Sequence, residues 1–287
     1  MSPVSKTILL TIVTLVAFAA NSVLTRLALD GGTIDAASFT LIRIAAGALM
    51  LAPLAWLAGA GSAAMRAGSW ASAFALFAYA IAFSFAYLTL DAGTGALILF
   101  AAVQASMIGI GMVRGERPRA AEWLGLLTAL GGLAYLVSPG LTAPAPGGAA
   151  LMAVAGIAWG VYSIRGCGSA APLAETAGNF IRALPFALVS AGLAIGGLNA
   201  DLRGVLLAVA SGALASGLGY AIWYTALRGL SATTAAIVQL AVPVIAALGG
   251  VFFIGEAITL RLAIAAIIIL GGIAVAILGR RRSESAA

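Results

Sequence analysis

The chain has 287 residues, 63% of them hydrophobic and only 8% charged, with a mean hydropathy of +1.13. A soluble domain carries about a quarter charged residues, so most of this exterior must face lipid, and the net charge of +6 sits in short gaps between apolar runs, as in a membrane protein and not a nucleic-acid binder. A single cysteine, Cys167, and the absence of histidine exclude an internal disulfide and leave no metal-ligand cluster or histidine-based triad, so neither a cofactor nor an enzyme is expected.

Backbone groups in hydrocarbon must be satisfied within the spanning element, and continuous apolar runs near 20 residues select helices over a barrel. Ten runs follow in order, the first from Ser5 to Leu29. Its start, with Lys6 and Ala17-Phe18-Ala19, has the look of a signal peptide, but it continues through Asn21 and is long enough to span. Next come Ala36 to Leu57, Ser69 to Leu90, Thr94 to Val113 and Ala120 to Val137. Beyond a loop with Pro139, Pro144 and Pro146 lie Gly147 to Arg165, Pro172 to Ala194, Arg203 to Leu227, Ala232 to Phe253 and Thr259 to Gly279. The connections leave no separate soluble domain. Ten spans put both termini on one side, which Arg280-Arg281-Arg282 marks as cytoplasmic. A bacterial inner membrane, with the lipid bilayer as surroundings, is the expected location. Trp56, Trp70, Trp123 and Trp223 fall near inner ends, as interface anchors would.

The chain divides into residues 1–142 and 143–287, and the halves correspond. Leu130-Gly131-Gly132-Leu133-Ala134 matches Leu270-Gly271-Gly272-Ile273-Ala274 at an offset of 140, and Gly115-Glu116 matches Gly255-Glu256 at the same offset. Arg43 pairs with Arg182 at 139 and Tyr87 with Tyr224 at 137. Five spans per half is an odd number, so the halves must have opposite orientation. The expected fold is an all-α polytopic membrane protein of two five-helix inverted repeats, a common plan of secondary transporters.

The five-plus-five plan, the Gly-Glu before the fifth and tenth helices, and the stretch from Ala226-Leu227 through Pro243 to Gly255-Glu256 resemble the EamA-type drug/metabolite transporter superfamily. The likeness covers nearly the whole chain and is clearest in the second half; Val103 stands where Pro243 has its counterpart, which removes an expected kink. Within the superfamily the size and polar-aromatic interior resemble the YddG-type amino-acid exporters, and the exporting direction is implied by that resemblance alone.

Residues four apart share a helix face. Tyr79, Phe83 and Tyr87 form such a stripe on the third span, and Ser216, Tyr220 and Tyr224 form its counterpart on the eighth. Tyrosine hydroxyls in lipid lack partners, so these faces suit a wet cavity, although ordinary aromatic packing uses the same pattern. Asn21, Trp159, Gln104 and Gln239 are further candidates, since an amide donates to a carboxylate and accepts from an ammonium; amides also serve simply as glue between helices. Arg43, Arg182, Glu116 and Glu256 are read as structural charges, the glutamates accepting N–H bonds at the start of the helix that follows each. Pro243 is a hinge candidate.

A cavity with aromatic and neutral polar groups suits a zwitterion better than a phosphate sugar, which wants clustered Lys or Arg. The expected activity is export of aromatic and neutral amino acids or similar metabolites by alternating access around a midplane site. No obvious proton carrier lies deep in the spans, so uncoupled facilitated diffusion is expected. A multidrug or lipophilic-cation exporter, or a selective channel, is the alternative, and whether the chain works alone is open.

Overall fold

A computed structural model describes residues 3–284 apart from 62–65, 116–119, 141, 168 and 231–237. The described residues form ten helices, with no strand beyond an isolated bridge between Ile34 and Ala200. These are α1 (Pro3–Asp30), α2 (Ala36–Ala55, ending in a π turn over Trp56–Ala60), α3 (Trp70–Ala86), α4 (Ala92–Val113) and α5 (Ala120–Val137). They continue with α6 (Pro146–Gly166), α7 (Pro172–Leu193), α8 (Leu202–Leu227), α9 (Ala241–Ile254) and α10 (Leu260–Glu284). Seven of them, α1, α2, α4, α5, α6, α8 and α10, are long and apolar enough to cross a membrane. Helices α3 and α9 are apolar but shorter, and α7 carries Glu175, Asn179 and Arg182.

Local chemistry sets the ends. Asp35 caps α2, accepting from Ala37 N at 3.0 Å and Ser38 N at 2.9 Å. Ser69 caps α3 and Asp201 caps α8 in the same way, and Pro146 and Pro172 open α6 and α7, where their missing N–H is not needed. Gly115 and Gly255, the glycines of the repeated Gly-Glu, leave α4 and α9 with φ of +92° and +81°, a conformation that excludes most side chains. Glu116 lies outside the described residues.

The expected boundaries hold within a few residues where the structure describes them. The expected start of the ninth helix at Ala232 lies outside the described residues; Val238 and Gln239 are helical, and a turn at Leu240 separates them from α9. Pro243 explains the interruption: its ring has no N–H for the Gln239 carbonyl and crowds that oxygen. Helix α4, with Val103 at the matching place, runs unbroken.

Helix α5 packs against α10, α2 against α7 and α4 against α9. Helix α3 packs on α6 as α8 does on α1, α4 on α6 as α9 does on α1, and α3 on α7 as α8 does on α2. Exchanging each helix with the one five places on therefore maps these principal contacts onto themselves. The α5–α10 seam depends on glycine. A Cβ on Gly272 would lie 2.6 Å from both Ala129 N and Gly125 O, and one on Gly132 would lie 2.8 Å from an Ile268 methyl. Such close backbone approach is how helices gain contact in lipid. The adjacent Gly131 and Gly271 face open space.

Gly271 and Gly272 therefore separate helix propensity from packing. Gly271→Ala should be neutral or stabilising by up to about 1 kcal/mol, whereas Gly272→Ala should be destabilised by about 1–3 kcal/mol through overpacking. Thermal melting of the purified proteins in detergent checks the order; equal midpoints for the two would contradict this seam.

Candidate functional site

A cavity of about 680 Å³ enters the bundle between α1, α3, α4, α6, α7 and α8. Its rim contains Gly68 and Ser69 before α3, Arg165 to Cys167 after α6, Pro172 at the start of α7 and Leu227 at the end of α8. All of these are helix ends on one face of the bundle. No lining residue comes from the connections on the opposite face. Deeper in, the wall is Phe18, Phe100, Gln104, Trp159, Tyr220 and Tyr224, with Thr176 and Asn179 on α7. Among the lining residues the only charges are Arg165 and Glu175.

The polar wall is held by side chains bridging helices. Asn179 Oδ1 accepts from Ser69 N at 2.9 Å, Arg165 Nε donates to Ser72 Oγ at 3.1 Å, and the Thr176 and Tyr224 hydroxyls are 3.0 Å apart. Arg182 does not reach Glu175. It donates to the carbonyls of Ala67, Gly178 and Arg66, fastening the α2–α3 connection at the rim.

The inner end of the cavity is closed by aromatic rings. Trp159 stacks on Tyr220 with centroids 5.4 Å apart and meets Tyr79 at 4.8 Å, and Tyr79, Phe83 and Tyr87 continue the row at 5.3 and 4.7 Å. Behind this layer the Arg43 guanidinium lies 5.2 Å from the Tyr79 ring centre and 5.0 Å from that of Phe83. Its Nη2 donates to the Tyr79 hydroxyl at 2.9 Å and its Nε to Ser216 Oγ at 3.4 Å. Asn21 Oδ1 accepts from Ser211 at 2.9 Å and from Ser216 at 3.3 Å.

On the opposite face the bundle is sealed twice. The α1–α2 and α7–α8 connections are joined by Asp35 N to Asn199 O, Asn199 N to Asp35 Oδ2 and Asp201 N to Thr33 O, each at 2.8 Å. Burial acts to raise the Asp35 carboxyl, but hydrogen bonds from Ser38, Asn199 and Ala37 outweigh it and hold Asp35 below its ordinary value. Nearby, Glu256 accepts from Ala92 N with both oxygens, at 3.1 and 2.9 Å, and from Arg26 Nε at 3.3 Å. Arg26 also pairs with Asp30 at 2.7 Å and donates to Tyr87 O at 3.2 Å. Burial raises the Glu256 carboxyl; the Ala92 N–H and Arg26 oppose this, and Asp91 adds to it. Glu256 thus caps α4 from across the bundle, not the helix that follows it, because Gly255 turns the chain back toward Ala92.

Of the ten residues expected to bind solute, Gln104, Trp159, Tyr220, Tyr224 and Gln239 line the cavity. Asn21, Tyr79, Phe83, Tyr87 and Ser216 do not: the three rings belong to the closing row itself, and Asn21 and Ser216 are buried behind it. Ser216 departs from its stripe because residues Ala210–Leu218 of α8 are π-helical, which shifts the four-residue face before Tyr220. Trp223 is no interface anchor: it is buried at the wall, edge-on to Phe18 at 5.8 Å. Sequence reasoning missed Tyr162, Thr176 and Asn179 as lining residues; polar residues recurring at short spacing on α7 were the available signal.

A model of the EamA-like transporter family matches residues 146–278. An uncharacterized protein of Pseudomonas aeruginosa is 51% identical over 287 residues, covering 99% of this chain and 100% of that one. A solved crystal structure of a protein at 25% identity covers 96% of this chain and 99% of its own, with a TM-score of 0.64, so the ten-helix architecture recurs there.

The seal and the cavity should be coupled. Ser163, on the cavity wall, reports its openness when made Ser163→Cys in a Cys167→Ser background. Glu256→Ala should lower labelling by a membrane-impermeant maleimide several-fold, by releasing the seal and shifting the population away from the open cavity. Because the Glu256 carboxyl is raised in the folded chain, its contribution to folding stability is full below its ordinary value and is lost as pH rises through its folded value. The melting midpoint should therefore fall from acidic to neutral pH, and Glu256→Gln, which still accepts from Ala92 N–H, should lessen that dependence. Asp35 has the opposite sign and loses its contribution only at more acid pH.

Proposed function

We propose that this chain, whose residues 146–278 match the EamA-like transporter family, exports small zwitterionic solutes, neutral and aromatic amino acids foremost, by alternating access. The observation that carries the reading is the cavity: about 680 Å³, open on one face and closed on the other. That volume lies in the range of small-molecule sites, which pair an apolar wall with a few placed polar groups. One carboxylate, Glu175, and one guanidinium, Arg165, amid aromatic and neutral polar side chains match the two charges of a zwitterion. A phosphate-bearing solute would want several cations together.

The two five-helix segments act, in this reading, as inverted repeats in a bacterial inner membrane with both termini cytoplasmic, most like the YddG-type amino-acid exporters. The open face is then the cytoplasmic one, and the seal at Glu256 and Asp35 is the outer gate. Rocking about the α5–α10 seam and the Pro243 interruption would close the rim and open the seal, so the Tyr79–Phe83–Tyr87 stripe takes the place now held by Tyr220 and Tyr224. The correspondence of principal helix contacts between the segments supports this exchange. The solute gradient drives transport, with Glu175 engaged in amine recognition.

Counterflow in proteoliposomes tests the reading. Vesicles loaded with unlabelled neutral amino acids should trap labelled phenylalanine, without stimulation by an imposed pH gradient. Trp159→Ala and Tyr220→Ala should each lower trapping by about tenfold, the factor for roughly 1.4 kcal/mol of lost contact. Trapping of lipophilic cations with no amino-acid trapping would instead favour the multidrug reading, and uptake without saturable exchange would favour a channel.

A further inference from the structure

Arg43 stands out among the described cations. It is 2% exposed, and no carboxylate lies within ion-pair distance among the described residues. Its symmetry mate Arg182 fills its donors with three backbone carbonyls. Arg43 has two hydroxyl partners, Tyr79 and Ser216, and its Nη1 is buried with no acceptor among the described residues. A guanidinium has five donors in a planar fork that fits a carboxylate. A buried cation held only by neutral dipoles and ring faces is expensive, and such a residue inside a membrane marks a solute path by default.

We propose that Arg43 is the carboxylate-binding group of a second station on the solute path, one ring layer beyond the present cavity. This rests on the transporter reading and names the part of the solute that the closed half receives. Trp159 and Tyr220 line the cavity, Tyr79 meets Trp159, and the Tyr79 hydroxyl holds Arg43 Nη2. Movement of the Tyr79–Trp159 pair therefore joins the cavity to the guanidinium. The vacant Nη1 and the neighbouring Nη2 supply two parallel N–H donors for a carboxylate, and the Tyr79 hydroxyl, released from Nη2, can donate to the same group. The Ser211–Asn21–Ser216 chain holds Ser216 against Nε, which fixes the plane of the fork. The ligand class is a monocarboxylate; the amine is not read here, because no acid pairs with Arg43 among the described residues.

The test uses ligand-induced thermal stabilisation of the purified full chain with three probes: phenylalanine, 3-phenylpropanoate and phenethylamine. The two carboxylates should stabilise the wild type, and Arg43→Met, an apolar replacement of similar volume, should weaken their apparent binding by about ten- to a hundredfold, the size of a hydrogen bond to a charged group. Phenethylamine should respond equally in both proteins. Arg43→Lys keeps the charge without the fork and should retain part of the carboxylate preference, which also serves if Arg43→Met does not fold. Stabilisation by phenylpropanoate that depends on Arg43, with no counterflow of any amino acid, would sustain this station and remove the amino-acid reading. Counterflow of amino acids with carboxylate stabilisation unchanged in Arg43→Met would do the reverse. No carboxylate effect in the wild type, or the same loss for phenethylamine as for the carboxylates, would overturn the inference.

Discussion

A polar atom in hydrocarbon finds no water, and most of this structure is an answer to that constraint. Threonine and serine hydroxyls inside the spans return to their own helices, as Thr25 does to Asn21 O at 2.6 Å and Thr40 to Ala36 O at 2.8 Å. Helix ends that meet across the bundle satisfy one another: the Glu256 carboxylate serves the buried Ala92 N–H at the start of α4, and Arg182 serves carbonyls at the α2–α3 connection. Only Thr14 Oγ1 and Arg43 Nη1 are buried without a partner among the described side-chain atoms. The same rule that makes the chain helical thus makes these two atoms conspicuous.

It also explains why the seal is built from caps. Each hydrogen bond contributes a net of roughly 0.5–1.5 kcal/mol, and somewhat more when charged. The few bonds around Asp35, Asn199, Arg26 and Glu256 therefore amount to several kcal/mol. That is the scale a solute can overcome by binding one state better than the other. A wide apolar interface in place of the caps would lock the bundle. The α5–α10 seam has that character, with glycine backbones in contact, and it stands apart from the cavity, where a fixed support is useful.

Much of this was legible in the sequence. Continuous apolar runs give the helix boundaries to within a few residues where they are described, and the repeated Leu-Gly-Gly locates the tightest seam, since its second glycine is the one a side chain would clash with in both copies. The candidate site was half legible. Four-residue spacing assumes 3.6 residues per turn, and the π segment Ala210–Leu218 breaks that assumption, so Ser216 faces Asn21 and Arg43. Nor does spacing say which of two matched stripes is open. Tyr79–Phe83–Tyr87 and Tyr220–Tyr224 read alike, but a carrier in one state can expose only one of them. Glu256 was read as capping its own helix because sequence shows chain neighbours, and the Gly255 turn is what directs it elsewhere.

Arg43 and Arg182 show how far correspondence between segments reaches. They occupy the same place on α2 and α7, yet one is buried among rings and the other rests on rim carbonyls. If the segments are inverted repeats, this difference is not a difference of residue but of state. In the present arrangement α7 faces the open cavity, so Arg182 reaches the boundary and finds carbonyls. Helix α2 faces the sealed half, where the outer connection is already bonded through Asp35, Asn199 and Asp201, leaving Arg43 only hydroxyls and ring faces. In the proposed cycle, the unsatisfied nitrogen on Arg43 finds its missing acceptor when a carboxylate arrives.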